Sequence, residues 1–187
     1  MITTALLRNA FEYFAKFPMH DGVLKSFTIS ESASFGAEYT AFKDSITNME
    51  EKSLIPGIPD YVFGVDEESV KKRIKEITGT FLFVDYGATT IERDKYRTNS
   101  ESFLLAITVA TPLPAGRYDN VETLFIGDQA LDYIRQILER MEEDSRNSPF
   151  LQHVTFPTEI SPFYARELFN SVGFTMMFSR KGVGLLE

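Results

Sequence analysis

The chain has 187 residues and no cysteine, and its 27 acidic and 19 basic residues give a formal net charge of −8. Without cysteine it has no disulfide, no thiolate metal site and no cysteine nucleophile. The acidic balance argues against binding of nucleic acid through phosphate neutralisation as the main activity. A hydrophobic content of 43% supports a sizeable core in one domain, and no apolar run approaches the ~20 residues that span a bilayer.

The first third of the chain predicts a helix, a strand and an insertion. The helix runs from Thr3 to about Phe17, because apolar side chains recur at three- and four-residue spacing. A strand is expected from Val23 to Ser30. Loop-forming flanks then surround a helical pattern from Ala37 to Glu50. We interpret residues 30–65 as a surface insertion within a single domain of residues 1–187.

The centre of the chain predicts a long β-hairpin. A short strand from Tyr61 to Val65 comes first, followed by a helix that Asp66 caps and that ends before Gly79. Thr80–Thr111 then contains two apolar runs rich in aromatic and β-branched residues, which predict two antiparallel strands. The polar interval between them, residues 90–100, is too long for a two-residue turn and predicts a solvated arm.

The last third predicts the longest helix and two more strands. Asn120 or Asp119 caps this helix, which runs from Val121 to about Asp144. Its apolar face includes Leu124 and also Gly127, which would allow close approach to the sheet. Strands are expected at Leu151–Phe156 and Leu168–Ser179, followed by a mobile glycine-containing tail. Because regular helical crossovers do not separate the strands, the fold class is α+β with a mixed or antiparallel sheet. The N-terminal helix and the long helix pack on this sheet, from which the hairpin arm extends.

The residues that could carry catalysis form no recognisable motif. His20, His153 and Ser171 could meet only through folding, and nothing in their spacing requires it. Asp85 and Glu92, or Glu142 and Glu143, could act as paired carboxylates. A small hydrolase that uses scattered carboxylates and His153 is therefore one alternative. We assign no catalytic, cofactor-binding or metal-binding residue, and we expect no cofactor.

Two charged segments are candidate interaction surfaces. The arm alternates charge at its tip and is the candidate subunit interface: Glu92, Arg93, Asp94, Lys95, Tyr96, Arg97. The end of the long helix is strongly acidic and is the candidate lumen or partner face: Glu139, Glu142, Glu143, Asp144. A soluble binding or adaptor module of a secretion or pilus-like system is the first alternative function, and the hydrolase is the second.

The order of the elements resembles the tail-terminator, or tail-completion, proteins of long-tailed bacteriophages and prophages. The matching segments are Thr3–Phe17, Thr80–Thr111, Asn120–Asp144 and Leu168–Ser179. The resemblance implies a homo-oligomeric ring, of six copies, that caps the tail tube and joins it to the head. Its implied partners are further copies of itself, the tail-tube protein and head-neck connector proteins. No membrane is implied.

The same resemblance implies a place and a role for the acidic charge. The protein would occupy the bacterial cytoplasm during assembly and the virion tail afterwards. DNA would pass through a lumen lined by carboxylates without specific binding, because phosphates and carboxylates repel each other. In a ring each contact joins two different patches, one on each neighbouring copy.

Overall fold

A computed structural model describes residues 5–30, 32–93, 99–114 and 118–183. Its central feature is a six-stranded mixed sheet in the order β1-β2-β3-β6-β4, with β5 also paired to β6. The strands are β1 (Asp60–Phe63), β2 (Phe81–Arg93), β3 (Asn99–Thr111), β4 (Val154–Thr155), β5 (Ile160–Ala165) and β6 (Ser171–Val183). β1 and β2 are parallel and all other pairs are antiparallel. The predicted α+β class with a mixed sheet is confirmed.

Within the residues that the structure describes, five α-helices accompany the sheet and divide between its two faces. They are α1 (Leu6–Ala15), α2 (His20–Leu24), α3 (Gly36–Thr47), α4 (Glu67–Lys75) and α5 (Asn120–Asp144). Because side chains alternate along a strand, Leu82 and Val84 enter the main core with α1 and α5. Phe81 and Phe83 point to the other face, where α4 covers them. We call these the α1/α5 face and the α4 face.

Local sequence explains where the two best-defined helices begin. Asp119 caps α5, since its side chain accepts from the backbone N–H groups of Val121 and Glu122 while Glu122 accepts from the N–H of Asp119. Asp66 caps α4 by accepting from the N–H of Ser69 at 2.8 Å. Both caps satisfy N–H groups that have no partner within the helix.

The stretch predicted as an insertion supplies part of the core. Its helical pattern forms α3, as predicted, and Ile46 on that helix is fully buried. Ile55, Ile58 and Tyr61 are also buried in the main core. These residues therefore belong to the common core and do not form a surface layer, while the interpretation of residues 30–65 as an insertion stays a prediction.

Three predicted segments differ from the structure. The strand expected at Val23–Ser30 is absent; its first residues lie in the short helix α2. Gly22 in α2 lies so close to Pro59 that a Cβ there would be 2.0 Å from the Pro59 carbonyl oxygen, so α2 packs directly on the loop before β1. The strand expected at Leu151–Phe156 is shorter in the structure, where only the two residues of β4 are in strand conformation. The tail expected to be mobile continues β6 as far as Val183.

Candidate assembly surfaces

The hairpin arm has a three-stranded base. β2 and β3 pair as far as Arg93 and Asn99, and β6 pairs with β3 as far as Ser100 opposite Val183. A third strand stiffens a hairpin, because two isolated strands are marginally stable in water. Of the predicted interface, Glu92 and Arg93 end β2, while Asp94, Lys95, Tyr96 and Arg97 lie outside the described residues.

The acidic end of α5 contains two kinds of carboxylate. Glu139, Glu142 and Glu143 are exposed to solvent, as a lumen or partner face requires. The side chain of Asp144 is only 17% exposed and turns towards α1. The lumen or partner role predicted for all four stays a prediction. Glu143 also contacts Arg140 at 3.7 Å, so of the four only Glu139 and Glu142 carry a charge without an ion pair among the described residues.

Asp144 is the centre of an ion-pair network that joins α1 to α5. Its carboxylate contacts the ammonium of Lys16 and accepts a hydrogen bond from the Tyr13 hydroxyl at 3.0 Å. Arg140 contacts it at 3.1 Å, and Lys16 also contacts Glu51 at 3.4 Å. The ammonium of Lys16 lies 4.2 Å from the centre of the Tyr13 ring, a distance at which the cation is attracted to the ring face.

This network shifts the pKa values of three of its members, Asp144, Tyr13 and Arg140. Burial alone would raise the pKa of Asp144, but hydrogen bonds from Lys16 and Tyr13 and the nearby cations hold it below its ordinary value. Burial and the neighbouring carboxylate raise the pKa of the Tyr13 hydroxyl. Asp144 is therefore ionised and paired at neutral pH, so its role is to fix α5 against α1.

The first two turns of α5 expose three large apolar side chains. Val121 is 59% exposed, Leu124 68% and Phe125 70%. They stand at positions i, i+3 and i+4 and so form one patch on the helix surface. We call these three residues the apolar end of α5. Leu124 was predicted on the buried face, and that prediction is wrong.

The phase of α5 explains why this patch faces solvent. The buried residues are Ala130, Ile134, Ile137 and Met141. At 100° per residue the apolar end lies on the opposite side of the helix from them. Projecting the sequence onto a helix separates the apolar end from the buried residues, but only when Leu124 is not assigned to the buried face. The same outward side continues into Glu139, Glu142 and Glu143.

Two of the groups that a hydrolase would need, Ser171 and His153, lie apart. Ser171 is fully buried and donates a hydrogen bond to the carbonyl oxygen of Leu168. The carbonyl oxygen of His153 accepts from Lys181, at the other end of β6, and ten residues of strand correspond to roughly 33 Å. Both ring nitrogens of His20 are buried without a hydrogen-bond partner among the described residues. That part of the chain also contains no cluster of three potential metal ligands.

Comparison with other proteins identifies no relative. No protein-family model matches the chain, and no curated protein or solved structure matches it. Among the residues that the structure describes, no helix is long and apolar enough to cross a membrane. The assignment of function therefore depends on the surfaces described above and on the order of the elements.

Proposed function

We propose that this protein assembles a virion of a phage or prophage, as a homo-oligomeric ring that caps the tail tube and joins it to the head. The observation that carries self-association is the apolar end of α5. Contiguous exposed apolar side chains on a folded protein mark surfaces that another molecule covers. Three such residues would form the apolar centre of an interface whose rim is polar.

The outward side of α5 suits a ring subunit because its character changes along its length. The helix has 25 residues, which corresponds to roughly 37 Å. Its first turns present the apolar end and its last turns present Glu139, Glu142 and Glu143. In a ring, the apolar end would pack on a neighbouring copy while the carboxylates would line the lumen and repel the phosphates of passing DNA.

The arm supplies a second patch of different character. Contacts in a closed ring are heterologous, so each copy needs two distinct surfaces. The arm, with its three-stranded base and charged tip sequence, and the apolar end of α5 are two such surfaces. The role at the tail rests on the resemblance in element order, with which the α+β fold and its long hairpin agree.

Electron microscopy of tail tubes tests the role at the tail. The tail-tube protein encoded in the same genome would be polymerised with and without this protein. We expect tubes of bounded length with a ring at one end when this protein is present. Tubes that grow unchanged beside free rings would contradict the capping role and leave only self-association.

A further inference from the structure

The α4 face of the sheet contains a depression of about 310 Å³ that none of the surfaces described above includes. Its floor is formed by Phe83 and Asp85 of β2, which point the same way because side chains alternate along a strand. One wall comes from α4 and the residues before it, and the other from β5 and the turn after it. The apolar lining residues are Val65, Val70, Phe83, Phe163, Ala165 and Leu168.

Asp85 is an unusual residue for such a place. It is half-buried, and it makes no hydrogen bond or ion pair with any residue in the described parts of the chain. Burial is the cause that raises its pKa above the ordinary value. A carboxylate that loses water without gaining a partner destabilises the folded chain, so a ligand that supplied a cation would offset that cost.

The rim of the depression has a net negative charge, the same sign as that of Asp85. Glu67, Lys71 and Glu167 line the depression, and the ammonium of Lys71 contacts the carboxylate of Glu67. Glu167 also attracts Lys71, but three carboxylates line the depression against this one cation, so the lining has a net charge of two negative units. The depression therefore combines an apolar wall with two negative charges, which suits a ligand that has an aliphatic stem and a positively charged head.

We propose that this depression receives a lysine or arginine side chain from a different protein. The stem of that side chain lies against Phe83, Phe163 and Leu168, and its cationic head pairs with Asp85 and Glu167. Lysine and arginine stems bury readily along apolar surface while the head stays near water. A basic partner also suits a chain with a net charge of −8. The proposal does not depend on the ring.

Nuclear magnetic resonance titration with three blocked pentapeptides tests the site. The peptides carry lysine, norleucine or glutamate between two leucines, so the first two differ only in the charge at the end of the stem. We expect the lysine peptide alone to shift the signals of residues lining the depression. Reciprocal linkage further predicts that its binding lowers the pKa of Asp85, because a cation favours the ionised carboxylate.

Matched variants separate the site from general attraction to an acidic protein. Asp85→Asn should weaken binding of the lysine peptide about fivefold, because it removes one partly exposed ion pair. Val65→Ser should also weaken it, and since Val65 is 51% exposed the fold should tolerate the change. Glu139→Gln removes the same charge from a helix on the opposite face of the sheet and should leave binding unchanged.

Several results would overturn the proposal. Equal binding to wild type and Asp85→Asn would mean non-specific attraction, and equal binding of the norleucine peptide would mean an apolar pocket without charge recognition. If millimolar lysine peptide shifted no signals of the residues that line the depression, the depression would not be a binding site. A lower oligomeric mass for Asp85→Asn, with no binding of the lysine peptide to wild type, would assign the depression to a second copy of this chain.

Discussion

At the scale of single residues, charges at the end of α5 perform different tasks according to the direction in which they point. Glu139, Glu142 and Glu143 face solvent, whereas Asp144 turns inward to Lys16 and Tyr13. Their sequence spacing predicted an acidic helix end but not this division. The division depends on α1 and the loop that carries Glu51, which are far away along the chain.

The substitution Lys16→Met should destabilise the fold by roughly 2 kcal/mol at neutral pH, because it leaves the partly buried carboxylate of Asp144 without its main cation. Urea unfolding measures this free energy. The folded pKa of Asp144 is lowered, so the stabilisation is complete above the ordinary value of 3.8 and is lost as the pH falls through the lower folded value. The difference between variant and wild type should shrink over that range.

Arg8→Met provides the matched control for this prediction. Arg8 also pairs with a carboxylate, that of Glu38 at 3.3 Å, but the two side chains are 50% and 71% exposed. An exposed pair contributes about 0–1 kcal/mol, so this variant should unfold nearly as the wild type does. Equal losses for the two variants would contradict the structural role assigned to Asp144.

Two glycines should respond in opposite directions to replacement by alanine. A Cβ on Gly173 in β6 would lie 1.9 Å from the carbonyl oxygen of Val109, so Gly173→Ala must distort the centre of the sheet and should cost more than about 3 kcal/mol. A Cβ on Gly127 in α5 would lie 3.9 Å from the ring of Phe174, an ordinary contact distance. Gly127→Ala should therefore stabilise by about 1 kcal/mol.

Thermal unfolding of the two glycine variants measures both effects. The ordinary contact distance at Gly127 also corrects the sequence-based expectation that this glycine lets the helix approach the sheet closely. A loss of stability in Gly127→Ala comparable to that in Gly173→Ala would show that α5 lies nearer to the sheet than the structure places it.

At the scale of elements, those with strong local signals were predictable. The capped helix α5, the helix α4 and the two strands of the hairpin follow from periodicity and capping residues. Elements decided by distant contacts were not. α2 depends on the loop that contains Pro59, and the end of β6 depends on pairing with β3, so glycines near the end of the chain suggested mobility where a strand is formed.

The apolar end of α5 gives the test at this scale. The double substitution Leu124→Ser with Phe125→Ser should weaken self-association, because it removes the exposed apolar surface that a neighbouring copy would cover. The monomer should stay as stable as wild type, since both side chains are already mostly in water. Analytical ultracentrifugation measures the association, and circular dichroism checks the fold.

Met177→Ser is the matched control for the apolar end of α5. Met177 is 54% exposed and lies on the α4 face of the sheet. It pairs with Ala106, which points the same way as Thr108, and Thr108 pairs with Phe83 of that face. This variant should associate as the wild type does. An unchanged association constant in the double variant would show that the apolar end of α5 is not part of the interface.

At the scale of the whole molecule, the two faces of the sheet carry different proposed binding surfaces. The α1/α5 face carries the long helix whose outward side would meet a neighbouring copy and the lumen. The α4 face carries the depression proposed for a basic partner. Hydrophobic patterning predicted that the N-terminal helix and the long helix pack on the sheet, and the acidic end of α5 was predicted as a partner face. The apolar end of α5 and the depression were not predicted, because each depends on which side chains the packed core leaves outside.

The most direct test of the central claim is the mass of the purified protein in solution, measured by light scattering over a range of concentrations. One chain has a mass of 21.3 kDa. A self-assembling ring predicts a single species at an integral multiple of that mass, six-fold if the resemblance extends to ring size. A mass of one chain at the highest concentration, also in the presence of the tail-tube protein, would contradict the account.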